Sequence, residues 1–131
     1  MKQKTVKGAA FQLLAMKSRT TQELRKKLTL KGFDPQEIEE VLFYCQKAGY
    51  LNDDQMAKRK VEQLEAKGYG PRYIQMKLKG WGLKNPGLSK EQDTIRTLLK
   101  KPQWQRKTPQ QKAAALARRG FSTDAIMEHL R

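Results

Sequence analysis

The chain has 131 residues, 37% of them hydrophobic and 31% charged, which is enough for one ordinary domain burying roughly two thirds of its unfolded surface without help from a metal or a disulfide. Its formal net charge is +15. The surplus is +5 in each third of the chain: 10 Lys/Arg against 5 Asp/Glu in 1–50, 11 against 6 in 51–100 and 7 against 2 in 101–131. So even a charge disfavours cationic partners and points to polyanions: nucleic acid, an acidic membrane face or an acidic protein assembly.

In chain order, the apolar spacing and the cap residues predict helices near 5–17, 20–31, 34–48, 52–67, 71–80, 90–100, 108–119 and 122–130. Thr20 and Glu23 suit a capping box, and Thr108 a cap with Pro109 in the first turn. The segment "GWGLKNPGLSK" (80–90) is rich in Gly and Pro and reads as a loop. The basic N-terminus "MKQKTVKGAAFQLLAMK" is interrupted by Lys7, Gly8 and Gln12, and no apolar run approaches the ~18 residues of a membrane span. Neither a signal peptide nor a membrane partner is expected, and with Cys45 the only cysteine the expected compartment is the cytoplasm.

Three stretches align without a gap: "LTLKGFDPQEIEEVL" (28–42), "LEAKGYGPRYIQMKL" (64–78) and "LARRGFSTDAIMEHL" (116–130). The shared pattern, L-x2-[KR]-G-[FY]-x4-I-x3-L, is an internal repeat of a helix joint. Gly32, Gly68 and Gly120 are placed just past a helix end, where a left-handed residue closes the helix. The preceding Leu28, Leu64 or Leu116 then meets Phe33, Tyr69 or Phe121 across the closure. The same ring precedes the next helix and is expected to staple to Ile38, Ile74 or Ile126, with Asp34, Gly70 or Ser122 as cap and Pro35 or Pro71 in the first turn. A weaker fourth copy, "CQKAGYLNDDQM", puts Gly49 at a helix end, Tyr50 on Cys45, and Leu51 against Met56 across an Asn52 cap. The expected fold is all-α, an extended array of helices. Its expected divisions are 1–50, 51–103 with the loop near 80–90, and 104–131.

Catalytic chemistry finds little to work with. There is one His, at 129, read as a solvent-side residue of the last helix, and one Cys, read as a small buried hydrophobe. No phosphate-cradling loop, zinc spacing or nucleophile elbow occurs, so no enzyme, metal or cofactor is expected. Cations between the joints remain: Lys58, Arg59, Lys60, Lys67, Arg72, Lys79, Lys112, Arg118 and Arg119. On the 71–80 helix, Ile74, Leu78 and Trp81 form one stripe, and Arg72, Met76 and Lys79 project from the other side as a candidate contact face. Lys67 and Arg119 also suit helix C-termini with no partner at all. Trp104, set among cations in "KKPQWQRK", is placed to stack on a base or an arginine, or to anchor the last repeat.

The pieces "SRTTQELRKKLTLKGF" (18–33), "GYLNDDQMAKR" (49–59), "KGYGPRYIQMKLKGWGL" (67–83) and "LARRGFSTDAIMEHL" (116–130) resemble the RecX family, regulators of the RecA recombinase. The resemblance implies tandem three-helix repeats forming an elongated, curved array, and a negative regulator that lies in the groove of the RecA–DNA filament and limits filament growth, ATPase, strand exchange and coprotease activity. It implies a monomer whose own affinity for single- or double-stranded DNA is weak, with the positions around Gly68 to Lys79 and Arg118 and Arg119 facing filament or DNA. Tyr73 stands where the family often has Arg, and Met56 where an aromatic is common. The first departure detaches any specific Arg role from position 73, and the short last section leaves the completeness of the third unit open. A general nucleic-acid-binding helical protein, or an adaptor for an acidic protein, is the alternative.

Overall fold

A computed structural model describes residues 5–130. Among these residues every regular element is a helix: α1 (Val6–Met16), α2 (Thr21–Leu30), α3 (Pro35–Lys47), α4 (Asp53–Ala66), α5 (Pro71–Gly80), α6 (Glu91–Leu99), α7 (Pro102–Gln105), α8 (Pro109–Arg118) and α9 (Thr123–His129). The expected divisions include residues 1–4 and 131, which lie outside the described residues. The chain separates into two compact units, one comprising residues up to Met56 with Trp81–Lys84, the other Ala57–Gly80 with Asn85 onward.

In the first unit, α1, α2 and α3 form a three-helix domain. Residues three and four apart on α2 and α3 converge on an adjacent pair from α1: Ala9 and Ala10 from α1, Leu24 and Leu28 from α2, and Ile38, Val41, Leu42 and Cys45 from α3 make one core. Burial pushes the Cys45 thiol up from its ordinary pKa, as befits a residue acting as a small apolar side chain. The junction of α1 and α2 departs from the expected capping box. Thr20 Oγ1 does accept from the Glu23 N–H at 3.0 Å. The Glu23 carboxylate, however, takes the Arg19 guanidinium at 2.8 Å and the Lys17 ammonium at 3.6 Å. Arg19 is only 5% exposed, and its Nε donates to the Leu13 carbonyl near the end of α1 at 3.0 Å. A buried arginine is stable there because a carboxylate and a helix-end carbonyl share its donors.

The fourth, weaker joint also differs in detail. Gly49 has φ +84° and the Tyr50 N–H donates to the Cys45 carbonyl at 2.8 Å. Tyr50's ring does not enter the core; it is exposed and meets Phe11 edge-on at 5.7 Å, while Leu51 is the buried residue. Asn52 Oδ1 accepts from the Gln55 N–H at 3.0 Å, at the start of α4.

In the second unit, Ile95 and Leu98 of α6, Trp104 of α7, Leu116 of α8, Phe121, and Ile126 of α9 form a second core. Ile95 and Leu98, which precede Trp104, share this core with the residues that follow it. Helix α7 was not anticipated: four residues opened by Pro102 carry no readable periodicity. Trp104 in it is 4% exposed, so it is an anchor of the core and is closed to base stacking. His129 also departs from the expectation of a solvent-side residue: it is half-buried and its Nε2 is enclosed without a hydrogen-bond partner among the described residues.

Candidate functional site

The three repeated joints close their helices alike. Gly32, Gly68 and Gly120 have φ of +89°, +87° and +94°. The N–H of the following ring residue reaches back five residues in each: Phe33 to the Leu28 carbonyl at 3.4 Å, Tyr69 to Leu64 at 3.0 Å and Phe121 to Leu116 at 3.2 Å. Those are the hydrogen bonds of Schellman endings, in which the left-handed residue turns the chain so that the last carbonyls find donors.

Helix starts after these joints are satisfied in different ways. Asp34 Oδ2 accepts from the Gln36 and Glu37 N–H groups at the start of α3. Ser122 Oγ accepts from the Ala125 N–H at the start of α9 and donates to Glu91 Oε2 at 2.7 Å. Gly70 has no side chain with which to cap α5. Instead its N–H donates to the Arg119 carbonyl at 2.7 Å, and the Arg72 N–H donates to the Gly120 carbonyl at 3.1 Å. The N-terminus of α5 therefore abuts the C-terminal carbonyls of α8, and the two helix dipoles meet head to tail. In return, Arg119 Nη1 donates to the Lys67 carbonyl just beyond α4 at 2.8 Å. Two joints 52 residues apart in sequence are thus stitched into one.

This stitching positions the basic candidates of the second unit. Lys67, Arg72 and Arg118 are exposed around the paired joint, and Arg119 is half-buried within it. Its guanidinium lies 5.4 Å from the Tyr69 ring centre and 5.5 Å from that of Trp104, so much of its contact is internal. Along α5, Ile74 and Leu78 are buried, while Arg72, Met76 and Lys79 are exposed, Met76 at 58%. Tyr73 stacks face to face on Tyr69 at 4.0 Å, with the Lys77 ammonium 5.5 Å from its ring. Lys58 and Arg59 on α4 are exposed, whereas Lys60 and, on α8, Lys112 are half-buried. Lys107 and Tyr69 belong to the same neighbourhood and carry no role in the repeat pattern beyond the joint; only the tertiary placement of Trp104 gathers them.

Few carboxylates balance these cations. The described ion pairs are Lys17 and Arg19 with Glu23, Arg25 with Glu39, and Arg96 with Asp93. The hydrogen bond from Arg25 holds the Glu39 carboxyl below its ordinary pKa and raises that of the guanidinium. Among the described residues no group of His, Cys, Asp and Glu is arranged to hold a metal ion, and no helix is long and apolar enough to cross a membrane.

Residues 7–45, which cover α1 to α3 up to Cys45, match the family description "RecX, first three-helix domain". The regulatory protein RecX of Vibrio vulnificus is 42% identical over 72 residues, covering 55% of this chain and 47% of that protein. That of Cronobacter sakazakii is 36% identical over 84 residues, covering 56% and 51%. The match thus spans about half the length of these curated relatives. The crystal structure of RecX from Lactobacillus salivarius superposes with a TM-score of 0.77 over 95% of this chain and 94% of that one, at 20% identity, which establishes the shared fold. Residues 7–45 are thus similar to the first three-helix domain of RecX proteins, and the all-α fold of the described residues is that of the Lactobacillus salivarius structure.

Proposed function

We propose that this chain is a non-enzymatic negative regulator of the RecA recombinase, binding the groove of the RecA–DNA filament and limiting filament growth, ATPase, strand exchange and coprotease activity. The observation that carries the reading is the family relationship, from the first three-helix domain through the shared fold. The contact face is Arg72, Met76 and Lys79, with Lys58, Arg59, Lys60, Lys67, Lys112, Arg118 and Arg119 as its surroundings. Burial of Ile74 and Leu78 on the opposite side of α5 supports that assignment, because it leaves this face no packing duty. The three-unit division belongs to the same proposal, as does a cytoplasmic monomer that binds single- or double-stranded DNA weakly by itself.

Titration of the chain into preformed RecA filaments tests the reading. Substoichiometric protein is expected to slow DNA-dependent ATP hydrolysis, and no slowing at any ratio would sink the proposal. Arg72→Ala with Lys79→Ala should weaken that slowing while helix content and melting stay nearly unchanged. The excess of cations over carboxylates favours a second reading, general nucleic-acid binding. Tight binding to bare single-stranded DNA with a steep salt dependence, and no preference for filament over DNA, would establish it.

A further inference from the structure

The second unit holds an open cleft of about 540 Å³ whose walls include Tyr69, Gln103, Trp104, Lys107, Arg118 and Arg119, and no Asp or Glu lines it. Two of its cations share one ring: the Lys107 ammonium is 5.7 Å and the Arg119 guanidinium 5.5 Å from the centre of Trp104. An aromatic face attracts each cation but neutralises neither, so like charges are gathered where each raises the energy of the other. Among the described residues none of Lys107, Arg118 and Arg119 has an ion-pair partner. Arg119 is also oriented: one Nη1 N–H donates to the Lys67 carbonyl, which leaves its Nη2 and Nε donors as a fork. A fork oriented in advance between two rings loses little side-chain entropy on meeting a tetrahedral anion.

We propose that this cleft binds a backbone phosphate of single-stranded nucleic acid, with Arg119 as the oriented anchor and Lys107 and Arg118 supplying further charge. The inference deepens, and rests on, the reading of the second unit as a filament- and DNA-facing surface. A bare phosphate site would need the cations alone. The strand is favoured because the charge continues beyond the cleft, with Lys67 and Arg72 exposed around the same paired joint, which suits a chain of phosphates better than one free anion. Trp104, enclosed beneath the cations, organises them and does not itself stack on a base.

The test is a titration of the isotope-labelled full chain, reading the Trp104 indole N–H, with oligodeoxythymidylate, inorganic phosphate and polyglutamate as separate probes. Oligodeoxythymidylate is expected to shift the signal at phosphate concentrations where inorganic phosphate does not. Lys107→Ala and Arg118→Ala should each weaken oligodeoxythymidylate binding several-fold at low salt. Each should also flatten the slope of log affinity against log salt by about 0.7, the value for one phosphate contact on a single strand. Lys26→Ala in the first unit should leave the Trp104 shift as it was. An equal response to inorganic phosphate assigns the cleft to free anions and overturns the proposal; an equal response to polyglutamate assigns it to an acidic protein, with the same result. Unchanged salt slopes in both variants also overturn it. If the chain slows RecA ATP hydrolysis while Trp104 ignores the oligonucleotide, the cleft proposal fails and the regulatory reading stands; the converse result removes the regulatory reading alone.

Discussion

The joint at Gly32 and the paired joints at Gly68 and Gly120 follow one sequence pattern, yet they stand in different surroundings. At Gly32 a side chain would meet nothing within 4 Å, and the next helix is capped by its own Asp34. In the second unit the matching position is Gly70, where a Cβ would come within 2.7 Å of the Gly120 carbonyl carbon and 2.8 Å of its oxygen. Gly120 in turn would press a Cβ to 2.5 Å from the Tyr73 nitrogen. Exchanging Asp for Gly removes a local cap and lets another helix end supply the acceptors. One motif therefore builds either a self-contained joint or half of a tertiary one.

The comparison breaks most visibly at Gly120. Gly120→Ala combines a left-handed backbone with a backbone clash and should cost about 3 kcal/mol of stability in urea unfolding. Gly32→Ala, with the same conformation in open space, should cost about 1 kcal/mol. Equal losses at the two sites would show that the pairing of joints contributes nothing. Arg119→Ala removes the donor to the Lys67 carbonyl and the contact with two rings, for an expected loss of about 2 kcal/mol. Asp34→Ala should lose about 1 kcal/mol by uncapping α3; a matching loss cannot be produced at Gly70, where no side chain caps.

The smallest effect is electrostatic. Glu39's carboxyl is held below its ordinary pKa, so its pairing with Arg25 stabilises the fold above that ordinary value and is lost as pH falls through the depressed one. The pair is exposed, so solvent screening limits it to about 0.5 kcal/mol or less. Stability of the natural chain should converge on that of Glu39→Gln as pH drops from about 5 to 3; a gap that persists at the acid end would assign the difference to packing.

Much of the local structure could be read without coordinates, because helix ends are written in short-range terms. Gly32, Gly68 and Gly120 mark closures by their missing Cβ, Thr108 and Pro109 mark a start, and Ile38, Ile74 and Ile126 fall on buried faces at helical spacing. What escaped depended on neighbours distant in sequence. Glu23 deserted the Thr20 N–H for Arg19, a charge whose burial periodicity does not announce. Leu51 took the core place next to which Tyr50 was expected, because Tyr50 had Phe11 to meet outside it. Trp104 was balanced between base stacking and anchoring until α7 was seen to bury it. For the proposed contact residues, sequence located the cations and the outward side of α5, but gave no means of ranking Arg118 against Arg119.

The sequence by itself determined the helices other than α7, the repeated way they end and begin, the basic surplus and the family resemblance, since each rests on spacing, side-chain type or backbone freedom within a few residues. Only the tertiary structure decided that the second and third copies of the joint are bound to each other. Gly70 and Arg72 donate to carbonyls from residues 119 and 120, and Arg119 answers at Lys67. Those bonds join groups about fifty residues apart and depend on two backbones approaching where no side chain intervenes. A repeat pattern permits that approach; packing of the second unit makes it.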